Sequence, residues 1–425
     1  MRPLSTFHIF YGWWVLIVAV LAVFFTMGAS SWSFSVLIEP MASEFGGSHS
    51  QLVGALTMAG VLGALVAPPF GRLVDKYGSR GFMSFGVFFF GIMIVLTSRA
   101  QTLWQFYVTF GIGTGLSRTA ISQVGANPLA ANWFIRRRGI AFAAIASGTS
   151  ISGIFFPMMT QRIVDVWDWR TAWTVIGIGM IVIAAPLAWL VIRHTPEQVG
   201  LKPDGDDLRD YPETKERQWA RHQLPDVNWT RREALATPTF WILNLCLTLT
   251  SFPVGTIFII MHSYHTDLLI SPTIAAQMVS FYAFSAMIAH PFWAALVQLF
   301  GIRRLQVPLA IFYGTAITLY LLSSQLGMVP LLFLAIFPLG ISASGTVQTS
   351  TQIFADYYGR KEIASIIGVN SLLRIIPSAG GPLLAALLHD LFGTYVAAFV
   401  MFAFMCYLAG LGLVFARPPQ KPTMP

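Results

Sequence analysis

Twelve apolar runs, each long enough to cross a hydrocarbon layer about 30 Å thick, constrain this chain more than any other feature. They fall at about 12–37, 51–70, 81–98, 103–126, 139–161, 171–192, 239–264, 274–299, 305–323, 329–352, 363–388 and 393–416. Inside a bilayer the backbone must satisfy its own polar groups, so runs of this length predict α-helices. The one long polar interruption, 194–238, is rich in Pro, Asp, Glu, Lys and Arg, as a linker is, and it divides the helices six and six. The predicted fold is an all-α membrane protein of twelve transmembrane helices. A six-helix bundle over 1–193 and another over 239–425 are joined by a cytoplasmic linker over 194–238.

Composition agrees: 55% of the residues are hydrophobic and 10% charged, against about 25% charged in a soluble domain. The net charge of +8 does not point to nucleic acid, because the basic residues stand between apolar runs rather than in one patch. They report orientation. With both termini in the cytoplasm, Arg72, Lys76, Arg80, Arg136, Arg137, Arg138, the linker, Arg303, Arg304, Arg360, Lys361 and Arg417 lie inside, and only Arg99, Arg162 and Arg170 outside. The expected location is the inner membrane, multi-pass, with the chain working as a monomer in contact with lipid. The first run is too long for a signal-peptide core, so it stays as the first membrane helix.

No cofactor or metal is expected. Cys246 and Cys406 both sit inside apolar runs, which supports neither a disulfide framework nor a metal cluster. The Gly111 to Gly115 piece, GIGTG, is interior to a helix with no strand before it, so it is not a phosphate loop. No serine-histidine-acid set appears, and the chain is not expected to be an enzyme.

The halves repeat. A shift of 225 carries Gly115 to Gly340, Pro157 to Pro382 and Asp165 to Asp390, and a shift of 223 carries Leu73, Val74, Gly78 and Arg80 onto Leu296, Val297, Gly301 and Arg303. Parallel repeats with a site between them near the midplane are the architecture of a rocker-type secondary transporter.

Within the eleventh run, SLLRIIPSAGGP places Arg374 far from either end. A guanidinium at that depth costs at least about 2.5 kcal/mol, so it faces a watery cavity or a partner rather than lipid. At helical spacing Asn370, Arg374, Ser378 and Gly381 form one polar or small stripe. Two readings compete: a fixed positive charge for an anionic substrate, or a structural arginine bonded to carbonyls of a neighbouring helix.

Between the second and third runs the chain reads Gly71-Arg-Leu-Val-Asp75-Lys-Tyr-Gly78-Ser-Arg80, which resembles the signature loop of the major facilitator superfamily. The resemblance implies the major facilitator fold over the whole chain, and a conformational latch of Gly71, Asp75, Gly78 and Arg80 that does not touch substrate. The second-half copy has Gln298 where Asp75 stands. Tyr11-Gly12-Trp13-Trp14, and Trp133 to Ala141 leading into Ala146-Ser-Gly148 and Pro157, resemble bacterial members of the monocarboxylate transporter and oxalate:formate antiporter branch. That kinship implies a small carboxylate as substrate, and Arg374 matches the basic residue in the eleventh helix of the oxalate-type carriers. The chain departs from the branch in its eighth helix, where His290 stands in place of a substrate-binding arginine, and in lacking an acidic residue at the start of its first helix.

The fourth run carries a second deep arginine, Arg118, on a face with Gly111, Gly115 and Ser122. It either grips an anion together with Arg374 or braces its helix against the second or fifth. Tyr282, Gln348, Ser31, Ser35 and Ser285 are candidate cavity-lining groups, with Trp32 and Trp293 as candidate walls; helix packing is the alternative for each. No Asp or Glu lies well inside a run, so proton coupling falls to His290, to the substrate's own carboxyl or to counter-anion exchange. The expected function is secondary transport of a mono- or dicarboxylate by alternating access, as proton symport or anion exchange. A drug-like or neutral metabolite is the alternative cargo.

Overall fold

The computed structural model describes residues 10–121, 125–134, 138–201, 229–358, 369–370 and 373–416. Among them, ten helices are long and apolar enough to cross a membrane. They are α1 (Tyr11–Phe45), α2 (His49–Tyr77), α3 (Ser79–Thr97), α5 (Arg138–Val166), α6 (Trp169–Val191), α7 (Pro238–Asp267), α8 (Pro272–Phe300), α9 (Ile302–Gln325), α10 (Val329–Tyr358) and α12 (Val396–Phe415). The other two predicted segments are α4 (103–121) and α11 (Ile375–Phe392), the pair that carries the deep arginines, and each runs into residues outside the described set.

Local chemistry starts these helices where the sequence places them. Thr237 and Ser271 accept from the backbone N–H three residues on, and each is followed by proline at the first helical position. Asp168 does the same for α6, accepting from Thr171 N–H at 2.6 Å. The hydrogen bonds of Thr171 hold the Asp168 carboxyl below the usual carboxylate range.

The chain divides into two compact units: Met1–Phe45 with Met58–Tyr211, and Gly46–Thr57 with Pro212–Pro425. The first turns of α2 therefore belong to the second unit. In the first unit α1 packs along α5, and α3 packs on α4 and α6. Phe34, Phe110 and Phe106 stack at its centre, with ring centroids 5.1 Å apart at each step. In the second unit α8 and α9 pack on α10, α9 on α12, and α7 on α11 and α12. Three of its large buried tyrosines meet polar partners through their hydroxyls: Tyr264 with Ser324 Oγ at 2.5 Å, Tyr320 with His265 Nε2 at 2.8 Å, and Tyr358 with Thr237 Oγ1 at 2.9 Å, whereas the buried Tyr313 hydroxyl makes no hydrogen bond with a described residue. Burial in an apolar surround favours such partners, because an unpaired hydroxyl there costs free energy.

The sequence repeat is repeated in three dimensions. A Cβ on Gly115 of α4 would stand 2.7 Å from the carbonyl oxygen of Ala59 in α2; a Cβ on Gly340 of α10 would stand 2.6 Å from that of Tyr282 in α8. Since helices gain little apolar burial from each other in lipid, backbone approach through small residues is what joins them. Gly78 and Gly301 both start a helix at positive φ, +84° and +77°. Trp133 donates its indole N–H to Arg193 O at 2.9 Å and Tyr357 its hydroxyl to Ala416 O at 2.8 Å, so each half closes a helix end with an aromatic donor.

α1, α4 and α6 each contain a π-helical stretch, at Gly28–Ser33, Tyr107–Thr114 and Met180–Ala184, all in the first unit. Such insertions redirect side chains and collect at functional sites.

Candidate functional site

In the second unit the predicted stripe is a real helical surface. The backbone N–H of Arg374 bonds Asn370 O at 3.0 Å and that of Ser378 bonds Arg374 O at 3.3 Å. Asn370 is buried, Arg374 half-buried, Ser378 exposed and Gly381 buried against Thr256 and Phe252 of α7. From Asn370 to Ser378 the stripe therefore runs from core to surface, with Arg374 between them, and at Gly381 it returns to the core.

The side chains have different employments. Asn370 Nδ2 donates to Asn244 Oδ1 at 2.7 Å, and Asn244 Nδ2 donates onward to Phe240 O at 2.8 Å. This amide chain ties the turn before Arg374 to α7. The Arg374 guanidinium makes no hydrogen bond or ion pair with any described residue. No Asp or Glu is buried among the described residues either. A half-buried cation without a protein carboxylate is a group that an anion from solution can neutralise.

α8 and α10 supply the other predicted residues. His290 Nδ1 lies 3.1 Å from Ser344 Oγ, and Trp293 donates its indole N–H to Ile341 O at 2.8 Å. Tyr282, 4% exposed, lies at the crossing with Gly340, so its surroundings are helix packing. Gln348 is half-buried, and its buried Oε1 has no hydrogen-bond partner.

In the first unit Arg118 is half-buried and directs Nη2 toward Met27 Sδ at 3.8 Å. Met27 immediately precedes the π-helical stretch of α1, and Arg118 follows that of α4. The arginine thus reaches α1, whereas Gly115, predicted on the same face, meets α2; Ser122 lies outside the described residues. Ser31 and Ser35 are buried, and Trp32 donates to Thr149 O of α5 at 3.2 Å.

Of the predicted latch, Gly78 and Arg80 are described in full. Arg80 Nε donates to Trp189 O at 2.9 Å with its guanidinium 4.8 Å from the Trp189 ring centroid, and Ser79 Oγ meets His194 Nδ1 at 2.9 Å. These contacts tie the loop to the end of α6. Gly71 and Asp75 lie in the last turns of α2, and the Asp75 side chain is outside what the structure describes. In the second half Arg303 pairs with Asp356 and stands over the Tyr357 ring at 5.0 Å, so the equivalent arginine is tied to α10.

Sequence reasoning missed Asn244, although it is the one Asn in its apolar run. A lone amide in such a run is the signal that would have found it.

These observations agree with the comparisons. The chain matches the model of the Major Facilitator Superfamily over residues 19–266 and 243–424. It is 23% identical over 423 residues to monocarboxylate transporter 12 of Homo sapiens, covering 96% of this chain and 81% of that one. A shorter stretch of 148 residues, 34% of this chain, is 30% identical to 32% of MFS transporter asaE of Aspergillus flavus. In fold the chain is similar to a bacterial homolog of the human lysosomal transporter Spinster in its inward-facing and occupied conformation, with a TM-score of 0.67 and 16% identity over 96% of this chain and 95% of that one. The chain is a multi-pass membrane protein and secondary transporter belonging to the Major Facilitator Superfamily.

Proposed function

We propose that the protein carries a small organic anion, a mono- or dicarboxylate, across the inner membrane by alternating access, as proton symport or anion exchange. The carrying observation is Arg374: a half-buried guanidinium with no partner among the described residues, in a protein with no buried carboxylate among them. The full-length likeness to a protein named monocarboxylate transporter 12 supports the cargo class and kinship with that branch. Arg374 is the principal anion-binding group. Asn370 acts through its bond to Asn244; Ser378 and Gln348 contribute lining, and Arg118 is a second anion group or a gate. His290 is the coupling group if a proton travels with the substrate. Gly71, Asp75, Gly78 and Arg80 form the latch, with both termini cytoplasmic as the arginine bias indicates.

The test is uptake of carboxylates into proteoliposomes by the wild type, Arg374→Ala and Arg374→Lys. Loss of a charge-assisted contact of about 1.5–3 kcal/mol predicts roughly a 10- to 100-fold weaker apparent affinity for the alanine variant. Normal uptake by Arg374→Ala overturns the anion site. If the cargo is instead a drug-like or neutral metabolite, carboxylates leave the melting temperature of the purified protein unchanged.

A further inference from the structure

A second cluster of titratable groups lies inside the second unit. It joins the start of α2, the end of α7, the end of α11 and the start of α12. His389 Nε2 is 3.3 Å from Asp267 Oδ2, and its Nδ1 is 3.8 Å from Asp390 Oδ1. The rings of His49 and Tyr395 stack on either side of it, with centroids at 4.5 Å and 4.4 Å. His49 Nδ1 and the Tyr395 hydroxyl are 3.0 Å apart, and Asp390 Oδ2 accepts from Ser50 N–H at 3.2 Å. Asp267, Asp390, His49 and Tyr395 are thus the titratable groups that face His389 from the four elements; His265, two residues before Asp267, is engaged with Tyr320 instead.

The electrostatics of His389 decide what this cluster does. With Nε2–H given to Asp267, a neutral ring turns the lone pair of Nδ1 toward the Asp390 carboxylate. That nitrogen is buried and makes no hydrogen bond. Lone pair against anion is repulsive; a proton on Nδ1 converts the contact into an attraction and leaves one imidazolium between two carboxylates.

We propose that His389, held between Asp267 and Asp390, is a proton-binding site whose protonated form fastens the Gly46–Thr57 segment to the rest of the second unit. The link is Asp390. The oxygen that meets His389 and the oxygen that receives Ser50 N–H belong to one carboxylate, and that carboxylate stands at the N-terminus of α2, where negative charge is favoured. Thr57 Oγ1, bonded to Ala379 O of α11 at 2.8 Å, is the further point at which the segment is attached. Because the fastened form binds the proton more tightly, acid favours it and rising pH releases it. On the orientation proposed above, the site reads the pH of the outer side.

The experiment uses full-length protein in nanodiscs, spin-labelled at Gln51→Cys and Leu391→Cys, both exposed positions, with no substrate present. Dipolar broadening between the labels is expected to be strong at acidic pH and to fall as pH rises to about 8, and His389→Gln and Asp267→Asn are each expected to make the two spectra coincide. A wild-type spectrum that is the same at both pH values, or a pH response that survives in His389→Gln, overturns the proposal. If His389→Gln does not fold, the near-isosteric Asp267→Asn decides, with a surviving response counting against the site. Because no substrate is added, failure here is separable from failure of the anion-transport reading.

Discussion

Asn370 donates to Asn244 at 2.7 Å, with both side chains 2% exposed, one turn before the arginine that the substrate assignment rests on. The pair makes Arg374 a positioned charge. α11 cannot rotate about its axis without breaking this buried amide–amide hydrogen bond.

Asn244→Ala and Asn370→Ala each leave one buried amide unpaired, at a cost of about 1–3 kcal/mol. Each single variant is expected to lower the melting temperature, and the double alanine variant is expected to fall by less than the sum of the two. A double-mutant cycle on the thermal transition of the purified protein checks this, and additive losses would show that the amides do not act together.

At the Gly115–Ala59 and Gly340–Tyr282 crossings, alanine has no room. Gly115→Ala and Gly340→Ala place a methyl 2.7 Å and 2.6 Å from a carbonyl oxygen, a form of overpacking that costs about 1–3 kcal/mol. Similar losses are expected at the two sites because the contact is the same in both halves. Melting curves in one detergent measure it; a neutral result at either position would break the equivalence.

For Gly78 the backbone is at φ 84° and ψ 158°, and for Gly301 at φ 77° and ψ 145°, a region open almost only to glycine. Forcing a side chain there costs on the order of 1–3 kcal/mol. Alanine at either site is expected to lower stability even though the side-chain space at Gly301 is open. Comparison with Gly81→Ala, which meets nothing and sits in a helix, separates backbone strain from glycine replacement in general.

Asp168 is a cap with a pH signature. Its carboxyl is held below the ordinary range by Thr171, so the stabilisation is present above the unfolded-state value of about 3.9 and is lost as pH falls through the folded-state value. Asp168→Ala is expected to cost about 1 kcal/mol at neutral pH and to lose less relative to wild type in acid. Paired melting curves at neutral and acidic pH test the sign.

Much of this protein was legible in one dimension because membranes simplify the problem. A bilayer demands runs of apolar residues and self-satisfied backbones, so the spans and the repeat at 223 to 225 leave local marks. Arg374 was legible for the same reason, as a charge where charge is expensive. The latch arginines were legible as positions but not in their partners: Arg80 reaches α6 and Arg303 reaches α10, a difference set by which helix end offers a carbonyl or a carboxylate.

What only the tertiary structure decided is who meets whom. The π-helical stretch before Phe34 and the reach of Arg118 to Met27 depend on neighbours distant in sequence. So do the pairing of Asn370 with Asn244 and the meeting of His49 with His389 across 340 positions. A sequence states how costly a polar group is in an apolar run, because that depends on its immediate surroundings. It does not state how the cost is met, because the partner arrives from another helix and is chosen by packing geometry.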